Sequence, residues 1–262
     1  MRPFQVPGDS THQFLPNVKL KDLYDLYEFD RRLRLLVIDA IERIEVAVRA
    51  DISNHMGPAY GSHWYLKRSL FKNRFAHEKI LKTIRDKQAK ERADYEKEVK
   101  RIESLHTSSP GIKRQLIIKR RQESYARHYA LNYSEPTLMP GWAMVEELTF
   151  GSLSRLYSGL AKHQDQKAIS TVFSLHVPLM ASWLHVLTVI RNICAHHGRL
   201  WNREFGVQPM LPKDKSIQWP VYLKRQAKHT RVIVGFAIIH YLMLQISPQS
   251  RWHKELEMLL EA

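Results

Sequence analysis

Residues 33–52 read LRLLVIDAIERIEVAVRADI, and this stretch decides the fold class. Leu33, Val37, Ile41, Ile44, Val48 and Ile52 recur at steps of three or four. That is the period of one helix face turned toward a core. Glu28/Arg32, Asp39/Arg43 and Glu45/Arg49 stand four apart with the acid first, an order that supports a helix by about 0.3–0.5 kcal/mol a pair. Breakers are scarce from Val18 to His55. The glycines and proline of MGPAYGS (56–62) then predict a loop.

Outward from this stretch the chain keeps reading as helix. From Phe71 to Ser104 charges of both signs dominate, which suits a solvated helix or helical arm. SSPG (108–111) breaks it, and Ile112–Asn132 predicts a second, basic helix. Pro136 and the Pro140-Gly141 pair interrupt the chain again. Trp142–Phe150 and Ser152–His163 read as two short helices separated at Gly151. Pro178 suits the first turn of the next helix, whose stripe is Leu179, Trp183, Leu187 and Ile190; it is expected to run to about Trp201. A loop with Pro209, Pro212 and Pro220 follows, then one long helix over Val221–Ile246 and a short one over Trp252–Leu260. No stretch alternates with period two, and no internal repeat or low-complexity tract stands out. The expectation is an all-α chain, a single domain over 1–262 with a charged helical insertion at about 72–132.

Composition narrows the function classes. Hydrophobic residues make up 44% of 262, enough to bury a core. The one cysteine excludes a disulfide framework and a cysteine-based zinc site. The apolar run VIVGFAIIHYLMLQI (232–246) is broken by His240 and too short for a bilayer. MRPFQVPGDS (1–10) lacks an apolar signal core. These features predict a cytoplasmic protein without a membrane partner. The net charge of +15 is uneven. Residues 72–127 carry 17 basic and 8 acidic groups, and residues 191–262 carry 11 and 5, while 128–190 is nearly neutral. Segregated positive charge favours a polyanion, with RNA the expected partner.

Phosphate-loop, dinucleotide, zinc-protease and serine-hydrolase signatures are absent from the sequence. The fourteen histidines lack carboxylates at ligand spacing, and His196 and His197, adjacent on a helix, point about 100° apart. Neither a metal nor a cofactor is expected. What remains is arginine followed by histidine after four to six intervening residues: Arg49/His55, Arg101/His106, Arg121/His128, Arg191/His196 and Arg191/His197. Chance alone gives roughly three or four such pairs in this composition, so spacing does not choose among them. Context favours Arg191-Asn192-Ile193-Cys194-Ala195-His196-His197-Gly198-Arg199, where polar residues interrupt an apolar stripe and need partners or a job. Asn192 and His196 share a helix face. Arg49/His55, before Gly57-Pro58, reads better as a helix-end capping cation. Cys194 reads as a small buried residue, Trp142, Trp183 and Trp201 as core aromatics, and Glu146 and Glu147 as structural.

VLTVIRNICAHHGRLWNREF (186–205), LYDLYEFDRRLRLLVIDAIERIEVAVR (23–49) and EPTLMPGWAMVEELTFGSLSRLYSGL (135–160) resemble, in order, blocks of the bacterial abortive-infection proteins of the Abi D/F group. The resemblance covers roughly residues 14–245. It implies an all-helical, HEPN-like bundle, a role in phage defence, and an RNxxxH centre in which Arg191, Asn192 and His196 are the catalytic set. It also implies a member shortened at its N-terminus, because such proteins usually carry a further Tyr-rich segment before the block that starts here near Phe14.

Two functions follow. One is a metal-independent endoribonuclease toxin. The other is a non-catalytic RNA-binding or toxin-regulating module. In both, His197, Arg199, Lys113, Arg114, Lys119, Arg120, Arg121 and Arg127 are expected to contact RNA. The expected assembly is a homodimer through the 178–203 helix. A regulatory RNA or an antitoxin is a further expected partner.

Overall fold

The structure is a computed structural model describing residues 4–6, 8, 10, 11, 13–106, 109–214, 216–224 and 229–261. Among these are eleven α-helices and no strand beyond isolated bridges, so the all-α expectation holds. The helices are α1 (Leu20–Tyr60), α2 (His77–Glu103), α3 (Pro110–Gln122), α4 (Tyr125–Asn132), α5 (Gly141–Glu146), α6 (Phe150–Gly159), α7 (His163–Val172), α8 (Val177–Ala195), α9 (Val221–Lys224), α10 (Val232–Ile246) and α11 (Trp252–Glu261). The chain divides into two compact units, and the divisions fall within α1 and α8. Unit 1 is Met1–Glu45 with Ser182–Ala262, and unit 2 is Val46–Ala181.

In unit 1 the stripe residues Leu33, Val37, Ile41 and Ile44 of α1 are fully buried, as are Trp183, Leu184, Leu187 and Ile190 of α8. Trp183 stacks on Trp219 at 5.4 Å, meets the edge of Tyr241 at 5.4 Å, and donates its Nε1–H to Met210 O at 3.0 Å. A Cβ at Gly235 would lie 2.4 Å from Ile190 Cδ1, so any side chain there would displace the tip of Ile190 where α10 meets α8. Trp252 of α11 donates to Leu36 O at 2.9 Å.

In unit 2 the stripe continues through Val48, Ile52 and Met56, all fully buried. MGPAYGS is therefore largely helix, since α1 continues to Tyr60 with Pro58 inside it. In this last turn proline forfeits one bond, that to Asn54 O. Ser109 caps α3 and Pro110 sits in its first turn. The expected helix over 112–132 is two, because α4 has its own cap, Ser124, whose hydroxyl accepts from Arg127 N. Gly151 lies inside α6 and breaks nothing. Gln88 of α2 clamps the segment before α5, donating to Thr137 O and accepting from Met139 N, both at 3.1 Å.

The expected helix over 221–246 appears as α9 and α10, with 225–228 outside the described residues. Among the described residues α8 is the one helix long and apolar enough to cross a membrane, and 44% of that stretch is buried.

Candidate active site

The polar end of α8 belongs to unit 1. Ile190 and Cys194 are buried, Arg191 is half-buried, and Asn192 and His196 are exposed. Burial pushes the Cys194 thiol up to about 12, which leaves it no thiolate at neutral pH. The helix stops at Ala195, not near Trp201, through a paired C-terminal cap. Gly198 N donates to Ile193 O at 2.8 Å and His197 N to Cys194 O at 3.1 Å. This cap requires a left-handed residue, usually glycine. Here it is His197, with φ +54°. Holding a side chain in that region costs about 1–2 kcal/mol.

The turn is anchored from α1. Asp30 Oδ1 accepts from Leu200 N at 2.9 Å and Trp201 N at 2.7 Å. Its Oδ2 accepts from Arg34 Nη1. Both side chains are more than nine-tenths buried. Phe29 adds an edge-to-face contact with Trp201 at 5.2 Å. Beside this anchor is a pocket of about 260 Å³. The Asp30–Arg34 pair lines it together with Leu23, Leu26 and Tyr27, and His197 and Arg199 complete it.

Arg191 and Asn192 therefore lie in the last turn of α8 and His196 directly after it, with its N–H donating to Asn192 O at 3.0 Å, and His197 and Arg199 follow at the pocket. No hydrogen bond or ion pair holds the side chains of these five to another described residue of the unit. Sequence reasoning missed Tyr27, Asp30 and Arg34. One signal was available: Asp30 falls in phase with the stripe, three residues before Leu33, where a charge needs a reason.

The remaining sequence-predicted contacts lie in unit 2 and differ in freedom. Arg114 and Lys119 are exposed and bond to no described residue. Lys113 Nζ donates to Glu103 O at 2.7 Å, at the end of α2. Arg120 pairs with Glu123 at 2.7 Å, and Arg121 bonds Asn132. Arg127 is held by Glu91 at 3.0 Å, Glu123 at 3.3 Å and Arg120 O at 2.7 Å, with only 12% of its side chain exposed. Its charge is spent joining α4 to α2.

The Arg49/His55 pair is also in unit 2. Arg49 caps a helix end, though of α5 and not of its own helix, donating to Val145 O and, at 2.8 Å, to Leu148 O. His55 Nε2 lies 2.9 Å from Asp165 Oδ1, and Tyr60 OH donates to the same carboxylate at 2.9–3.0 Å. One turn before His55, burial raises the Asp51 carboxyl to about 6, with His55 opposing the shift.

No curated protein and no solved structure matches the chain. A family model does: the Abi-like protein model matches residues 1–202, which include all of α8 and the turn that follows it. The chain belongs to the Abi-like protein family, a membership that points to a role in phage defence.

Proposed function

We propose that the chain is a metal-independent endoribonuclease with Arg191, Asn192 and His196 as its catalytic residues. The observation that carries this reading is the last turn of α8. The side chains of Arg191 and Asn192 there, and of His196 just after it, bond to no described residue of their unit, and the turn that follows is strained and pinned by Asp30. Polar groups placed this way are available to a ligand.

The reaction is an internal displacement. The ribose 2′-oxygen forms a bond to the neighbouring phosphorus, and the bond from phosphorus to the 5′-oxygen breaks. His196 takes the 2′-hydroxyl proton or supplies the proton that the 5′-oxygen needs, a role worth about 10²–10⁴-fold. Arg191 neutralises charge developing on the phosphorane, and Asn192 orients His196 or the phosphate. The products are a 2′,3′-cyclic phosphate and a 5′-hydroxyl. Because the step needs both a base and an acid, two copies of the His196 turn facing each other complete it. The active form is then a homodimer through α8, an isologous contact. Arg114 and Lys119 supply phosphate contacts from the basic block.

The test is cleavage of a mixed RNA pool in EDTA by wild type, His196→Ala and Arg191→Ala, with the product ends identified. Each substitution is expected to slow cleavage at least about 100-fold. Equal rates for wild type and His196→Ala, or loss of wild-type cleavage on chelation, would sink the proposal.

A further inference from the structure

The pocket beside the end of α8 has a composition that the cleavage step leaves unexplained. Leu23, Leu26 and Tyr27 make its walls apolar. Tyr27 is 60% exposed and neither stacks on nor bonds to any described residue. A structural tyrosine would be packed or bonded. Arg34 is bonded only through Nη1 to Asp30, so its other N–H groups have no partner among the described residues. Yet the side chain is only 8% exposed, and it lines the pocket. A guanidinium held at one nitrogen by Asp30, with its other donors open to the pocket, is positioned to bond whatever enters.

The charge of the pair selects the ligand. Asp30 already compensates Arg34, so an anion entering here would gain little from the arginine and would lose its hydration among leucines. A neutral, flat group with acceptors on one edge fits both the donors and the walls. At about 260 Å³ the pocket is below the usual range for cofactor sites, a size suited to a single ring system. The exposed His197 and Arg199 next to it suit the flanking phosphates.

We infer that this pocket holds one base of the RNA strand, a guanine, stacked on Tyr27 with its O6 and N7 accepting from Arg34. Arginine's fork matches those two acceptors. Adenine turns an amino donor toward the same fork, and uracil separates its two carbonyls. The inference rests on the reading of α8's end as an RNA site, and it adds that cleavage is directed by a neighbouring guanine.

The experiment uses the full chain carrying His196→Ala, so that binding is read without cutting. Fluorescence anisotropy compares a short oligouridylate with the same strand carrying one guanosine, adenosine, cytidine or 7-deazaguanosine. One guanosine is expected to raise affinity about tenfold or more, and 7-deazaguanosine, lacking N7, loses most of that gain. Tyr27→Ala is expected to cost about tenfold on the guanosine strand, while Tyr27→Phe keeps the affinity. These arms stand even if variants at the buried Arg34 fail to fold. Equal affinity for all strands, a cytidine preference, or an indifferent Tyr27→Ala overturns the inference. So does a Tyr27→Ala variant that only dissociates a dimer, which makes the patch a subunit contact. Wild-type cleavage without base preference removes the pocket's role and leaves the nuclease standing. Guanosine-dependent binding with no cleavage does the reverse.

Discussion

Arg49 and His55 stand six residues apart near the end of α1, and Arg191 and His196 stand five apart at the end of α8. The two pairs meet opposite fates. Arg49 is 8% exposed and spent on the carbonyls of Val145 and Leu148, and His55 faces Asp165. Arg191 and His196 make no such commitments in their unit. The spacing is nearly the same, so the spacing is not the signal. What separates the two pairs is whether their hydrogen-bonding capacity is already used.

The largest expected effect sets the two histidines against each other. His196→Ala is expected to lose at least about 100-fold in RNA cleavage, whereas His55→Ala stays within twofold, because Asp165 keeps Tyr60. Equal losses from the two would erase the distinction. The arginines reverse the order when stability is measured. Arg49→Ala removes the side-chain donor from the Val145 and Leu148 carbonyls and is expected to cost about 3 kcal/mol in denaturant unfolding, against less than about 0.5 kcal/mol for Arg191→Ala.

Asp51 sharpens the structural side. Its folded carboxyl titrates at about 6, against an unfolded value of 3.8. The folded chain therefore holds a proton between these values that the unfolded chain releases. The contribution of Asp51 to stability is fully present below about pH 4 and is lost as pH rises through 6. Asp51→Asn is expected to add about 1 kcal/mol at pH 7, a figure discounted for partial exposure, and nothing at pH 4. A variant gaining equally at both pH values would show that ionisation of Asp51 is not the cause. The smallest effect tests the strained turn. His197→Gly relieves the left-handed side chain at the entropic cost of glycine, and unfolding is expected to show a gain of about 0.5 kcal/mol. A loss would mean that the imidazole has a structural partner.

The fold was legible wherever one face met the core. Leu33, Val37, Ile41, Ile44, Val48 and Ile52 are buried as their period predicts, because burial imposes that period directly. The errors fall where the cost of a breaker depends on position. Pro58 reads as a stop, but in the last turn it forfeits a single bond while Met56 remains fully buried and holds the helix. His196-His197 reads as helix, because the glycine that marks the cap stands one residue later, at 198, and a histidine takes the strained position. The candidate site was read from a local run, Arg191 to Arg199. Tyr27, Asp30 and Arg34 reach it only through tertiary structure. Arg127 reads as a free cation because Glu91, 36 residues earlier, is not part of any local pattern.

Asp30 also has a temporal meaning. It grips backbone amides 170 and 171 residues further along the chain. At translation rates of about 5–20 residues per second, that separation corresponds to roughly 10–30 s. During that interval α1 has left the ribosome and the turn it holds has not been made. Asp30 and Arg34 wait in solvent, and neither the pocket nor the pinned turn exists. The pinned turn and the pocket beside it form in one late step, when Leu200 and Trp201 reach the carboxylate.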